Sequence, residues 1–192
     1  MNDILERVSG ESNFFKKILS KMPGFKGYVK REERRNADKL LRESIGEKFE
    51  AIWQRISALQ KDAISGGELE IVDDLEAAAL KIRQFTDRIE NASYGYAGFF
   101  DVININEEEL DALYKYDLVL LELEDEMNSA VDAVSTALGT DDLESAIRSL
   151  TNTAQSCVDA FNERKEVIVN MKNSAAEDQV VEMIEEESEE EN

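Results

Sequence analysis

Carboxylates are the only reactive side chains this chain has in quantity. Its 192 residues hold 43 Asp and Glu, 22 Lys and Arg, one cysteine and no histidine. A di-iron site inside a helical bundle needs Glu-x-x-His on two helices, so the missing histidine removes it. Ser-His-Asp and Cys-His relays fail for the same reason. Cys157 alone builds neither an all-thiolate zinc site nor a disulfide framework. Asn104, Asn106 and Glu108 alternate as the oxygen ligands of a calcium loop do, but Glu109 stands where that loop needs glycine for its sharp turn. Neither GxxxxGK[ST] nor GxGxxG is present to cradle a phosphate. A glycosidase-like pair of carboxylates needs a cleft to converge in, and nothing here singles out one pair among dozens. The expectation is a protein that is not an enzyme, with no catalytic residue, metal, cofactor or small-molecule substrate.

Four other residues stand out by position. Arg164 occupies a place in an apolar stripe, where its stem can pack while its head reaches solvent or an acid on a neighbouring helix. Asp117 and Glu124 flank a leucine-rich stripe and read as boundary residues. Trp53, beside Ile52, reads as core or boundary packing.

The elements that would carry these residues are helices. Ile45, Phe49, Ile52, Ile56, Leu59 and Ala63 recur at steps of 4, 3, 4, 3 and 4. Val72, Leu75, Ala79, Ile82, Thr86 and Ile89 continue the rule, as does the run from Leu113 to Ala137. A last run joins Leu143, Ile147, Leu150, Ala154, Cys157, Phe161, Arg164, Ile168 and Met171. Alternating steps of three and four place each set on one seam, the pattern of bundle packing. Ser65-Gly66-Gly67 and Gly139-Thr140 supply the stops, and Asn106 with three following glutamates supplies a start. The spacing predicts helices over 2–20, 30–64, 68–92, 107–138 and 141–172. The fold class is all-α: an antiparallel four-helix bundle with an additional N-terminal amphipathic helix. Three regions follow: residues 1–29 as that helix with a basic turn, 30–172 as the bundle, and 173–192 as a disordered acidic tail.

Charge is unevenly laid out. Residues 16–42 hold ten bases and three acids, while 43–192 hold 11 bases and 37 acids, so an acidic body with a net charge of −21 for the chain wears one basic collar. Duplex nucleic acid needs a large cationic face and is excluded as a partner. Phe14, Phe15, Lys16, Lys17 and Lys21, followed by Lys26, Lys30, Arg31, Arg34 and Arg35, are candidates for contact with an anion or a membrane surface, although the first helix, amphipathic as it is, equally fits docking on the bundle. Between the third and fourth long helices, NASYGYAGFFDVININ is too apolar for a solvated loop. Its Tyr94, Tyr96, Phe99 and Phe100 read as a plug on one end of the bundle or as a partner contact. The last sixteen residues hold nine acids and no base, yet Val180, Met183 and Ile184 within them form an apolar cluster that reads as a fraying end of the fifth helix or as a short docking motif.

Two motifs, PGFKGY continuing to ADKLLR over residues 23–42 and YGYAGFFD over 94–101, resemble an uncharacterised family of bacterial helical proteins. The resemblance covers about 30 residues and implies a bacterial or phage-like origin with no known activity. A basic amphipathic start and an acidic end are also similar in outline to membrane-remodelling helical proteins of the ESCRT-III and phage-shock type. The functional expectation is a non-catalytic, cytoplasmic interaction or scaffold protein whose partner is another protein or itself. The alternative is a peripheral membrane protein that meets anionic lipid on the inner face through helix one and residues 16–42.

Overall fold

The structure is a computed structural model that describes residues 14–22, 24, 34–92 and 107–190. It contains α1 (Phe14–Lys21), α2 (Arg34–Gly66), a 3-10 turn (Leu69–Ile71), α3 (Val72–Asn91), α4 (Glu107–Ala137) and α5 (Leu143–Glu190), with no strand among the described residues. The all-α bundle is therefore the fold. Seam residues from all four long helices, including Phe49, Ile56, Leu75, Phe85, Leu120, Met127, Leu150 and Phe161, form one continuous buried core.

Side-chain pairs fix the helix directions. Lys48 meets Glu124 at 2.8 Å and Arg55 meets Asn128 and Asp132, so α2 and α4 run parallel. Lys81 bonds Gln155 at 2.6 Å, while Phe85 meets Phe161 edge-on further along, so α3 and α5 run parallel too. Packing joins α2 to α3, α4 to α5, α3 to α5 and α2 to α4. Consecutive long helices are thus antiparallel, and α3 and α4 occupy opposite corners of the square.

Local chemistry sets the turns. Gly67 has a positive φ of 85°, its N–H donates to Ile64 O, and Glu68 N donates to Ala63 O at 2.9 Å. This closes the end of α2 with a left-handed glycine, as the Ser65-Gly66-Gly67 stop predicts. Gly139 has φ of 76°, and Thr140 bonds back to Ala137 O through both its N–H and its hydroxyl. The Thr140 hydroxyl then accepts from Asp142 N at 3.3 Å and opens α5.

Two boundaries differ from expectation. The described part of the first helix is Phe14–Lys21; the rest of the predicted 2–20 helix lies outside the described residues. α5 does not stop at 172 but continues unbroken to Glu190, so the segment expected to be a disordered tail from 173 is helical through 190. Repulsion between its acids is opposed by strong helix formers, and no Gly or Pro follows Gly139 to end the helix. At 1.5 Å per residue, α5 is about 72 Å long.

Candidate functional site

Two features near one end of the bundle bear on function: a charged cross-brace in the core and a groove on the surface beside it. The brace consists of Asp38 and Arg42 on α2, Asp117 on α4 and Arg164 on α5, all of them buried. Arg164 Nε donates to Asp117 Oδ1 and its Nη2 to Asp38 Oδ1, both at 2.7 Å. Arg42 Nε donates to Asp38 Oδ2 at 2.8 Å. Its Nη1 donates to the carbonyls of Ile89 and Glu90, at 3.1 and 3.2 Å. Those carbonyls lie in the last turn of α3, where no intrahelical N–H remains to satisfy them. Two guanidinium and two carboxylate charges cancel, and the set touches all four long helices.

The brace corrects one expectation and resolves another. Asp117 is not a boundary residue: it is 0% exposed. Its carboxylate faces the core, where Arg164 of α5 meets it, and with α1 also packed on α4 every residue from Asp117 to Leu121 is buried. The Arg164 head does not reach solvent; at 1% exposed it meets acids on two other helices. Glu124 is the half-buried boundary residue the sequence predicts, paired with Lys48. Trp53 is a boundary residue as well, with the Arg83 guanidinium 5.3 Å above its ring.

The groove runs between the end of α3 and the middle of α5, with a volume of about 880 Å³. Phe161 and Ala92 form its apolar floor. The buried side of Phe161 continues the core, edge-on to Phe85, which stacks on Phe49 at 4.4 Å. Leu80 and Val169 stand on the rim, 57% and 42% exposed. Arg83, Arg88 and Lys165 bring three cations against the single acid Asp87. Lys165 and Asn162 look outward here because they fall off the Phe161-Arg164-Ile168 seam. Sequence reasoning missed this surface. The signal that could have found it is Arg83, Arg88 and Lys165 sharing the outward faces of two helices in a strongly acidic chain.

Titration at the neighbouring α4–α5 edge is perturbed. Burial pushes the Tyr116 hydroxyl up, with Glu163 and Glu166 adding to the shift. Burial likewise raises the Glu163 carboxyl, helped by Asp159 and Glu166. Burial drives the Cys157 thiol far above its ordinary range, leaving a neutral core residue at physiological pH. Among the described residues, no group of three or more His, Cys, Asp or Glu gathers to hold a metal ion, and no helix is long and apolar enough to cross a membrane.

The other sequence candidates scatter. Lys16 and Lys17 are exposed on α1. Lys21 is paired with Asp125 on α4, and Arg42 is buried in the brace, so these two bases do not belong to a free collar. Phe14 and Phe15 lie in α1, Arg34 and Arg35 open α2, and Val180, Met183 and Ile184 lie in the last turns of α5. Lys26, Lys30, Arg31, Tyr94, Tyr96, Phe99 and Phe100 lie outside the described residues, as do Asn104 and Asn106. No family model, curated protein or solved structure matches the chain, so its function is read from its own geometry.

Proposed function

We propose that this is a non-catalytic helical interaction protein that takes a protein partner into the α3–α5 groove. The observation that supports the reading is the groove itself. Apolar side chains stand exposed on its rim, and cations line its walls in a chain of net charge −21. Partner surfaces are typically an apolar centre with a charged margin, and that is the chemistry gathered here. The buried neutral thiol of Cys157 suits a reducing compartment, which favours the cytoplasm. The test is affinity capture with the intact chain and with Arg88→Glu/Lys165→Glu, both exposed positions. The expected result is a partner retained by the first and lost by the second. An identical set of captured proteins would overturn the reading.

A second reading, contact with anionic membrane through α1, draws on exposed Lys16 and Lys17. It must contend with an apolar face that is already occupied: Ile18 and Met22 are buried, and α1 packs on α4. Vesicles rich in anionic lipid should therefore leave the protein in the supernatant at physiological salt. Pelleting that Lys16→Glu/Lys17→Glu abolishes would install the membrane reading instead.

A further inference from the structure

α5 carries two stripes, one apolar and one mixed. The first is the core seam through Phe161, Arg164, Ile168 and Met171. The second follows Asn162, Lys165, Val169, Lys172, Ala176, Val180 and Met183, again at steps of three and four, with Ile184 one turn beyond Val180. At 3.6 residues per turn it lies about 100° round the helix from the seam. Its first three members line the groove. Its last members lie where the seam has lost its apolar character, since Asp178 and Glu182 follow Ala175 at the seam positions. The groove and the 180–184 cluster are therefore two stations on one face of one helix, about 25 Å apart.

Their chemistries are complementary. The groove has an apolar floor and rim with Arg83, Arg88 and Lys165 around it. Residues 177–190 have Val180, Met183 and Ile184 among eight acids and no base. We infer that the partner of the groove is a second copy of this chain: the 177–190 turns of each copy lie in the α3–α5 groove of the other, with the two α5 helices antiparallel. The midpoint of that arrangement falls near Ser174-Ala175-Ala176, where small side chains let two helices approach closely. The contact is closed and two-fold, each copy giving an acidic helix and receiving one. The large negative charge on both copies does not forbid it, because charges more than about 8 Å apart are screened at physiological salt. This inference rests on the groove being the interaction surface, and names its occupant.

A charge swap tests it. Light scattering and sedimentation of the full chain should give twice the chain mass at micromolar concentration. Arg88→Glu/Lys165→Glu in one preparation makes the groove acidic. Glu182→Lys/Glu185→Lys in another makes the helix end basic. Each alone should be monomeric, its dissociation constant raised about thirtyfold or more. Mixed, they should form a heterodimer, since both contacts then join opposite charges. Val180→Glu/Ile184→Glu, outside the core seam, should also give a monomer with undiminished helical circular dichroism. A wild-type monomer at all concentrations overturns the inference, the groove then being covered by residues of the same chain or by another protein. A dimer that survives either reversal overturns it as well. If the chain is monomeric but Arg88→Glu/Lys165→Glu still loses a captured partner, this inference fails and the interaction reading stands.

Discussion

At the end of the bundle where α2 begins and α3 stops, the core holds Asp38, Arg42, Asp117 and Arg164. At the other end, where α2 turns into α3 and α4 into α5, it holds Ile56, Leu59, Leu75, Met127, Val134, Leu143, Ile147 and Leu150 with no buried charge among the described residues. The apolar end gains stability from area removed from water, at roughly 25 cal/mol per Å². It has little to say about register, because a seam that repeats every seven residues looks similar to itself one heptad along. The ionic end gains little net energy over a hydrophobic equivalent, since desolvating four charges is expensive. It admits only one alignment. A one-heptad slip of α5 would bring Cys157 or Met171 to Asp117 and take the Arg164 guanidinium away from both Asp117 and Asp38. Strength and alignment are thus assigned to different halves of one core.

The comparison breaks most visibly at Arg164. Arg164→Met leaves Asp38 and Asp117 buried beside one remaining guanidinium and should cost about 3–5 kcal/mol in urea unfolding. Arg164→Met with Asp117→Leu restores neutrality, with Asp38 and Arg42 still paired, and should recover most of that loss. If the single variant costs under about 1 kcal/mol, the brace is not what fixes that end. At the apolar end, Ile56→Ala should cost about 3 kcal/mol, from lost transfer energy and the cavity it leaves. That loss should be insensitive to pH and salt.

The seams made the apolar half legible from sequence, because Ile56, Leu59, Leu75 and Leu150 are recognised by spacing alone. Gly67 and Gly139 made the turns legible, because only residues at ease with positive φ stop a helix that way. The brace was half legible. Arg164 announces itself as a cation in an apolar stripe, but its partners lie 47 and 126 residues away in sequence. Asp117 could not be placed, because its burial depends on α5 bringing Arg164 against it, a tertiary fact. The groove was not legible for the same reason: Arg88 and Lys165 look like ordinary solvated residues until α3 and α5 are set parallel. The reach of α5 was underestimated because net charge was weighed above helix propensity in its final turns.

Gly46 sharpens the contrast at intermediate scale. It lies in α2 one turn above Arg42, and a methyl group there would approach the Glu90 side chain at 2.8 Å. Glu90 is exposed at the end of α3 and can swing aside. Gly46→Ala should therefore be neutral or stabilising by up to about 1 kcal/mol, the helix gain from removing glycine. A loss of more than about 1 kcal/mol would mean that the α2–α3 backbones beside the brace cannot move apart, and that its geometry is stiffer than a flexible glutamate implies.

The smallest effect is expected at Glu163, one residue before the brace arginine but on the α4–α5 edge. Burial and the carboxylates of Asp159 and Glu166 raise its folded-state pKa. Its unfolded-state pKa is about 4.3. Between that value and the raised one, the folded chain holds the proton more tightly than the unfolded chain does. Stability contributed at this site is therefore greatest at low pH and falls as pH rises through the window. At neutral pH, Glu163→Gln removes an unfavourable charge and should stabilise by roughly 0.5 kcal/mol, Gln and Glu being near-equal helix formers. Below pH of about 4 both chains carry a neutral group there, and the difference should vanish. Melting midpoints of the two proteins followed across that range decide the matter. A gain that persists unchanged into acid would trace to packing against Tyr116 rather than to charge, and would show that the edge beside the brace, unlike the brace itself, is not governed by electrostatics.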